Sequence, residues 1–189
     1  MRRLRRGASL MELSVTLTML LFTMLGIIGL FVSGLGSFDQ TRKAVEVSSD
    51  NAQGMRFISE RLREAVTISI TDSGRTITYT LPRMTNSPDS NTGEIEVQYP
   101  VASDGVERSF TVANGELTDT ESDRVLVRNI ASVDPDPESS QYNQAYAPFQ
   151  LTTIGSYRAV TINLITKQQA AQKEVYARMK TTVLVRNGL

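Results

Sequence analysis

The sequence predicts an α+β fold, with one long N-terminal helix packed on a small antiparallel β-sheet domain. Three observations lead there. An uncharged run extends from Leu13 to Phe38. From Asp39 apolar residues recur at helical spacing as far as Val66, the mark of an amphipathic helix. Beyond Val66 the period becomes two and turn residues punctuate the chain, as expected of short strands joined by hairpins. A parallel α/β sheet would instead need helices alternating with strands.

Four segments follow from this pattern. Residues 1–7 are a basic head, 8–38 an apolar helical stem, 39–66 the amphipathic half of the same helix, and 67–189 a β-rich globular domain. The apolar run of about 26 residues, at about 1.5 Å per residue, is enough to cross a hydrocarbon core of about 30 Å. In lipid a helix is the default, because each backbone N–H and C=O must be satisfied within the segment. Gly26, Gly29, Gly34 and Gly36 interrupt the stem; glycine weakens a helix in water and lets membrane helices approach closely.

The amphipathic half places Phe38, Val45, Ala52, Met55, Ile58, Leu62 and Val66 on one face, with Thr41 and Ser48 filling the gaps. Arg42, Lys43, Glu46, Asp50, Arg56, Glu60, Arg63 and Glu64 lie mostly off it. No proline occurs between Ala8 and Leu81, so one helix of about 59 residues is expected from Ala8 to Val66, roughly 88 Å long. Gly54 is its expected weak point outside the stem.

The domain begins with a predicted hairpin, Thr67–Thr71 and Arg75–Leu81 around Asp72-Ser73-Gly74, with Ile77, Tyr79 and Leu81 on one face. A polar loop from Arg83 to Gly93 precedes an alternating segment, Glu94–Tyr99. Arg108–Ala113 and Glu116–Thr118 flank Asn114-Gly115, a pair suited to a type I′ turn. Arg124–Val133 is a further strand, and Asp134–Pro148 a long loop with three prolines. The last strands are Tyr157–Thr166 and Val175–Arg186, with a turn or one helical turn at Lys167–Lys173. In the final strand Val175, Ala177, Met179, Thr181, Val183 and Val185 share a face.

Composition narrows the function. The 189 residues contain no cysteine and no histidine. The domain must therefore stand on its core without disulfides, and both the commonest general base and the commonest metal ligand are missing. No Ser-His-Asp arrangement can form, no Gly-x-Ser-x-Gly occurs and no Gly-rich phosphate loop follows a strand, so the chain reads as a non-enzyme without a cofactor. The 20 basic and 20 acidic residues balance, and without Arg2, Arg3, Arg5 and Arg6 there are 16 against 20, a net charge of −4. No direct nucleic-acid binding is indicated by that charge. Asp89, Asn91 and Glu94, and Asp134, Asp136 and Glu138, are oxygen-rich but lack EF-hand spacing, and solvated acidic loops are the expectation for both. Tyr142 and Tyr146 are either a contact surface or, the plainer alternative, a means of tucking the long loop onto the sheet.

The N-terminus admits three readings. One is a cleaved signal peptide, although the apolar run exceeds the usual core of about 7–15 residues. Another is a signal anchor carrying an independent extracytoplasmic binding domain. The third rests on the order of the residues: a basic head closed by Gly7, Glu12 five residues later, and the apolar helix at once after it. Gly7-Ala8-Ser9-Leu10-Met11-Glu12 resembles the cleavage and methylation signal of type IV pilins and type II secretion pseudopilins. Gly7, Leu10 and Glu12 match that pattern, Ser9 and Met11 are mild replacements, and Ala8 stands where the family usually has Phe.

The resemblance implies a lollipop-shaped minor pilin or pseudopilin, with Arg56–Ala65 and the end of the last strand similar to subunits of the J or W kind. It implies prepilin peptidase cleavage between Gly7 and Ala8, N-methylation of Ala8, and pairing of Glu12 with the Ala8 ammonium of a neighbouring subunit. The implied partners are that peptidase, other subunits and an inner-membrane assembly platform, in secretion, adhesion or motility, or DNA uptake. Ser9-x-x-Glu12 also has capping-box spacing, so Glu12 has a local role open to it as well. The arginines place the head in the cytoplasm and the domain outside.

Overall fold

The computed structural model describes residues 10–85, 95–98, 101–155, 157–170 and 173–185. A single helix, α1 (Leu10–Glu64), spans 55 residues, about 82 Å at the standard rise. It stops two residues before the expected Val66. Ala65 N–H still reaches the Leu62 carbonyl at 3.3 Å, but Val66 N–H donates to the Thr80 carbonyl at 2.9 Å. Val66 has thus left the helix for the sheet.

Two antiparallel sheets follow, where one was expected. The first is a meander of β1 (Thr67–Thr71), β2 (Thr76–Thr80), β3 (Arg108–Ala113), β4 (Glu116–Asp119) and β5 (Arg124–Val127), each paired with the next. The second orders β6 (Phe149–Ile154), β7 (Tyr157–Gln169) and β8 (Glu174–Leu184). Both predicted hairpins form. Asn114 and Gly115 take φ of 53° and 77°, the left-handed pair that a type I′ turn requires. At the first turn, a Cβ on Gly74 would lie 2.6 Å from the Phe149 carbonyl oxygen and 2.7 Å from Ala147 Cβ. Only glycine lets the two sheets approach there.

Other expectations are corrected. Ile95–Gln98 forms no named strand; Val97 makes an isolated bridge to Met84 and Ile95 stays exposed. The strand at Arg124 ends at Val127, ahead of Asn129 with its φ of 58°, and Ile130 and Val133 then make single bridges to Thr166 and Ala145. β6 was not foreseen, because Pro148 and a loop-like composition precede its weakly apolar Phe-Gln-Leu-Thr-Thr-Ile. Lys167–Gln169 continues β7 instead of turning, held by register to Glu174–Tyr176 and by a 3.2 Å Lys167–Glu174 ion pair.

The two sheets and the outer half of α1 share one core. Met55, Ile58 and Leu62 from the helix join Ile77, Phe110, Leu117 and Val127 of the first sheet and Val160, Ile162, Leu164 and Val183 of the second. Phe110 stacks on Tyr79 at 5.1 Å and meets Phe57 edge-on at 6.2 Å. β8 turns the predicted apolar face inward, ending on buried Val183 and Val185. Of the expected helix face, Met55, Ile58, Leu62 and Val66 are buried, but the part nearer the stem turns away from the sheets. Phe38, Val45 and Ala52 are exposed, whereas Val47, Asn51 and Gly54 are buried. Hydropathy does not flag an asparagine or a glycine as core, yet these small residues permit the closest approach. A Cβ on Gly54 would collide with Val127 Cγ2, so the residue expected to be the weak point is instead where helix and sheet touch.

Candidate functional site

The part of the molecule that calls for a functional explanation is the lower half of α1. From Leu10 to Phe38 every large apolar side chain is at least half exposed, and no charged residue occurs from Leu13 to Phe38. α1 is long and apolar enough to cross a membrane, and none of its most apolar stretch is covered by the rest of the protein. A helix hydrophobic all round requires an apolar environment. Its polar side chains are compatible with one: Ser14, Thr16, Thr18 and Thr23 each donate back to a carbonyl three or four residues earlier, at 2.8–2.9 Å. Their hydroxyls need no solvent donor or acceptor in lipid.

Glu12 is the sole acidic group in the first described turn of α1. It stands directly before the uncharged run on an exposed surface. A carboxylate here belongs at the boundary between polar and apolar phases, since it is costly deeper in. Gly7, Ala8 and Ser9 lie outside the described residues, as do Asp89, Asn91 and Glu94.

In the second acidic loop Asp134 is buried and bonded within the protein. One carboxylate oxygen accepts from Asp136 N–H at 3.1 Å, the other from Ser139 Oγ at 2.7 Å and from Arg178 at 2.5 Å. Burial alone would raise its pKa; the Ser139, Asp136 and Arg178 hydrogen bonds with the arginine charge outweigh this and hold the carboxyl below its ordinary range. Asp136 Oδ1 accepts from Tyr176 Oη at 3.4 Å, so this loop is stitched to β8. Among the described residues no group of three or more His, Cys, Asp or Glu side chains is placed to hold a metal.

The two loop tyrosines separate. Tyr146 is buried, its hydroxyl donating to the Ile165 carbonyl at 3.4 Å and accepting from Ile165 N–H at 3.3 Å, and burial pushes its pKa up to about 12. It tucks the loop onto β7. Tyr142 remains exposed.

Two groups in the domain escaped the reading of the sequence. Arg108 bonds Asp104 at 2.8 Å and Glu121 at 2.9 Å while largely buried, clamping the segment before β3 to the β4–β5 turn. Asn51 is wholly buried between helix and sheet. Asn51 has no local sequence signal, because its partners Thr166 and Ala177 are distant in the chain; Arg108 has one partner close by, Asp104, and one across the β3–β4 hairpin, Glu121. No protein-family model, no curated protein and no solved structure matches the chain.

Proposed function

We propose that this protein is a minor pilin or pseudopilin: a non-enzymatic structural subunit of a type IV pilus-like filament, made as a membrane precursor. The observation that carries the proposal is the division of one continuous helix. The large apolar side chains of its lower half are exposed from Leu10 to Phe38, and its outer half is packed into a β-rich domain. A bare apolar helix needs lipid before assembly and other helices after it, and a single long helix provides both without refolding. The basic head ending in Gly7, with Glu12 at the foot of the stem, supports processing by prepilin peptidase and assembly through a Glu12–Ala8 charge pair. The proposed location is the inner membrane, single-pass, with the β-rich domain outside, followed by entry into the filament through an assembly platform and neighbouring subunits.

Intact mass of the membrane-extracted protein tests this. Loss of Met1–Gly7 with one methyl group added to Ala8 is expected, and Gly7→Val should retain the full-length precursor. A retained leader in the wild type would support a signal-anchored protein with an independent binding domain. A cut near Gly36 would mark a secreted one. Either outcome overturns the proposal.

A further inference from the structure

The hairpin of β6 and β7 extends past the shared core. No charged residue occurs from Phe149 to Tyr157. Beyond Phe149 every residue of β6 is exposed, and alternate residues of a strand face opposite ways, so both sides of the hairpin are open. On the core side Leu151 pairs with Val160, itself paired with Val183; those two are buried, whereas Leu151 is half exposed. On the outer side Ile154 pairs with Tyr157 at the end of the hairpin, with Leu184 close by, opposite Ala159. Ile154 and Leu184 are half exposed and Tyr157 is 63% exposed.

This end of the hairpin lies at the outer end of α1. β8 runs outward alongside the helix: the Ala177 carbonyl accepts from Asn51, while Thr182–Val185 share a groove with Arg63 and Tyr157. At the standard rise, the close of α1 at Glu64 is about 39 Å beyond Phe38. Behind the hairpin end, Arg63 and Arg158 are exposed and form no ion pair among the described residues. A guanidinium matches the geometry of a phosphate.

A flat partner covers one face of a sheet. Apolar side chains on both faces of a projecting hairpin call for a medium that surrounds them, as the stem does. The main chain limits how deep such contact can go. A 2.8 Å bond from Asn163 N–H to the Pro148 carbonyl makes Gln150, Thr152 and Ile154 the β6 residues bonded to β7, so Leu151 and Thr153 turn their N–H and C=O to the open edge. Such groups do not enter hydrocarbon. Contact is therefore confined to the hairpin end, where Ile154 and Tyr157 pair with each other and a tyrosine suits the membrane interface. We propose that the end of the β6–β7 hairpin docks shallowly on an anionic lipid surface, and that this surface is a second bilayer, since the one holding the stem is too distant along α1. This docking requires only a stem in a bilayer and is independent of processing and filament entry, which the intact mass decides.

Full-length protein is reconstituted through its stem into phosphatidylcholine liposomes, with Tyr157→Trp as the reporter because the chain has no tryptophan. Protein-free liposomes are added next, either of phosphatidylcholine alone or enriched in phosphatidylglycerol. Tryptophan emission should shift to the blue and light scattering should rise with the enriched liposomes, and much less with phosphatidylcholine. Adding Ile154→Glu should abolish both changes while keeping the melting temperature, because the side chain is exposed. Arg158→Glu should remove the preference for phosphatidylglycerol. The absence of a blue shift with enriched liposomes would overturn the proposal, as would undiminished clustering by Ile154→Glu. So would clustering that needs the protein on both sets of liposomes, since the occupant would then be a second copy of this chain.

Discussion

Between Leu10 and Phe38, α1 keeps its large apolar side chains in the open; between Val47 and Leu62 it buries a narrow seam and turns Arg56, Glu60 and Arg63 outward. The backbone is the same helix throughout. What differs is how much of it the protein itself covers. The lower half is apolar on every face and needs a surrounding that is apolar on every face. The upper half needs only one apolar wall, and the two sheets form it. Glycine shows the contrast most directly. Nothing lies within 4 Å of a Cβ added to Gly26, Gly29 or Gly34, whereas at Gly54 the same atom would collide with Val127. In the lower half glycine leaves space for other molecules; in the upper half it is already filled by this one.

The largest effect expected from breaking this contrast is in the lower half and rests on the proposed assembly. Glu12→Gln should leave cleavage, membrane residence and domain stability unchanged. It should nevertheless exclude the subunit from filaments, because an ammonium left unpaired in an apolar setting costs about 3–5 kcal/mol. The ratio of mutant subunit in sheared filaments to that in membranes measures it. Normal incorporation would leave helix capping, which Gln also performs, as the role of Glu12.

Next in size is Gly54→Val, which should destabilise the domain by about 3 kcal/mol, at the upper end of overpacking costs. Gly29→Val should shift it by no more than about 0.5 kcal/mol, as for a site without contacts. Thermal melts of the two purified variants give the comparison; equal melting temperatures would mean that the helix is not seated on β5.

The smallest effect sharpens the difference through pH, because the buried phenols lie in the packed region alone. Burial, then the Asp119 charge, raises Tyr79 to about 12, and burial raises Tyr146 to about 12. A raised folded-state pKa gives stability that is complete below the unfolded value of about 10 and is lost as pH climbs from there toward 12. Stability of the domain should therefore fall steeply between about pH 10 and 12, and Tyr146→Phe should flatten part of that fall. An unchanged slope in Tyr146→Phe would show that its hydroxyl is not held in the loop anchor.

Much of this architecture was legible from local patterns. The apolar run, the proline-free helix, the Asn114-Gly115 hairpin and the alternating face of the last strand each depend on neighbours within a few residues, and short-range periodicity records such neighbours directly. So does the lone carboxylate at the foot of the stem. The division into two sheets, the existence of β6 and the burial of Val47, Asn51 and Gly54 on α1 were not legible. β6 exists because β7 offers it a partner through Phe149–Ile162 and Ile154–Tyr157 register, not because its own residues demand a strand.

The amino-acid sequence alone thus determined that there is one long helix, where its membrane-length portion lies, which residues stand at its foot, and that antiparallel strands follow. Those properties rest on hydropathy, chain covalency and local turn stereochemistry. Tertiary structure alone decided that Asn51 and Gly54 would join Met55, Ile58 and Leu62 as contact points of the outer helix. It also decided that Asp134 would bond Ser139, Asp136 and Arg178. The physical reason is reach: Asn51 meets Thr166 and Ala177 across more than a hundred residues of chain, and no local pattern encodes a partner that arrives only when the sheets close on the helix.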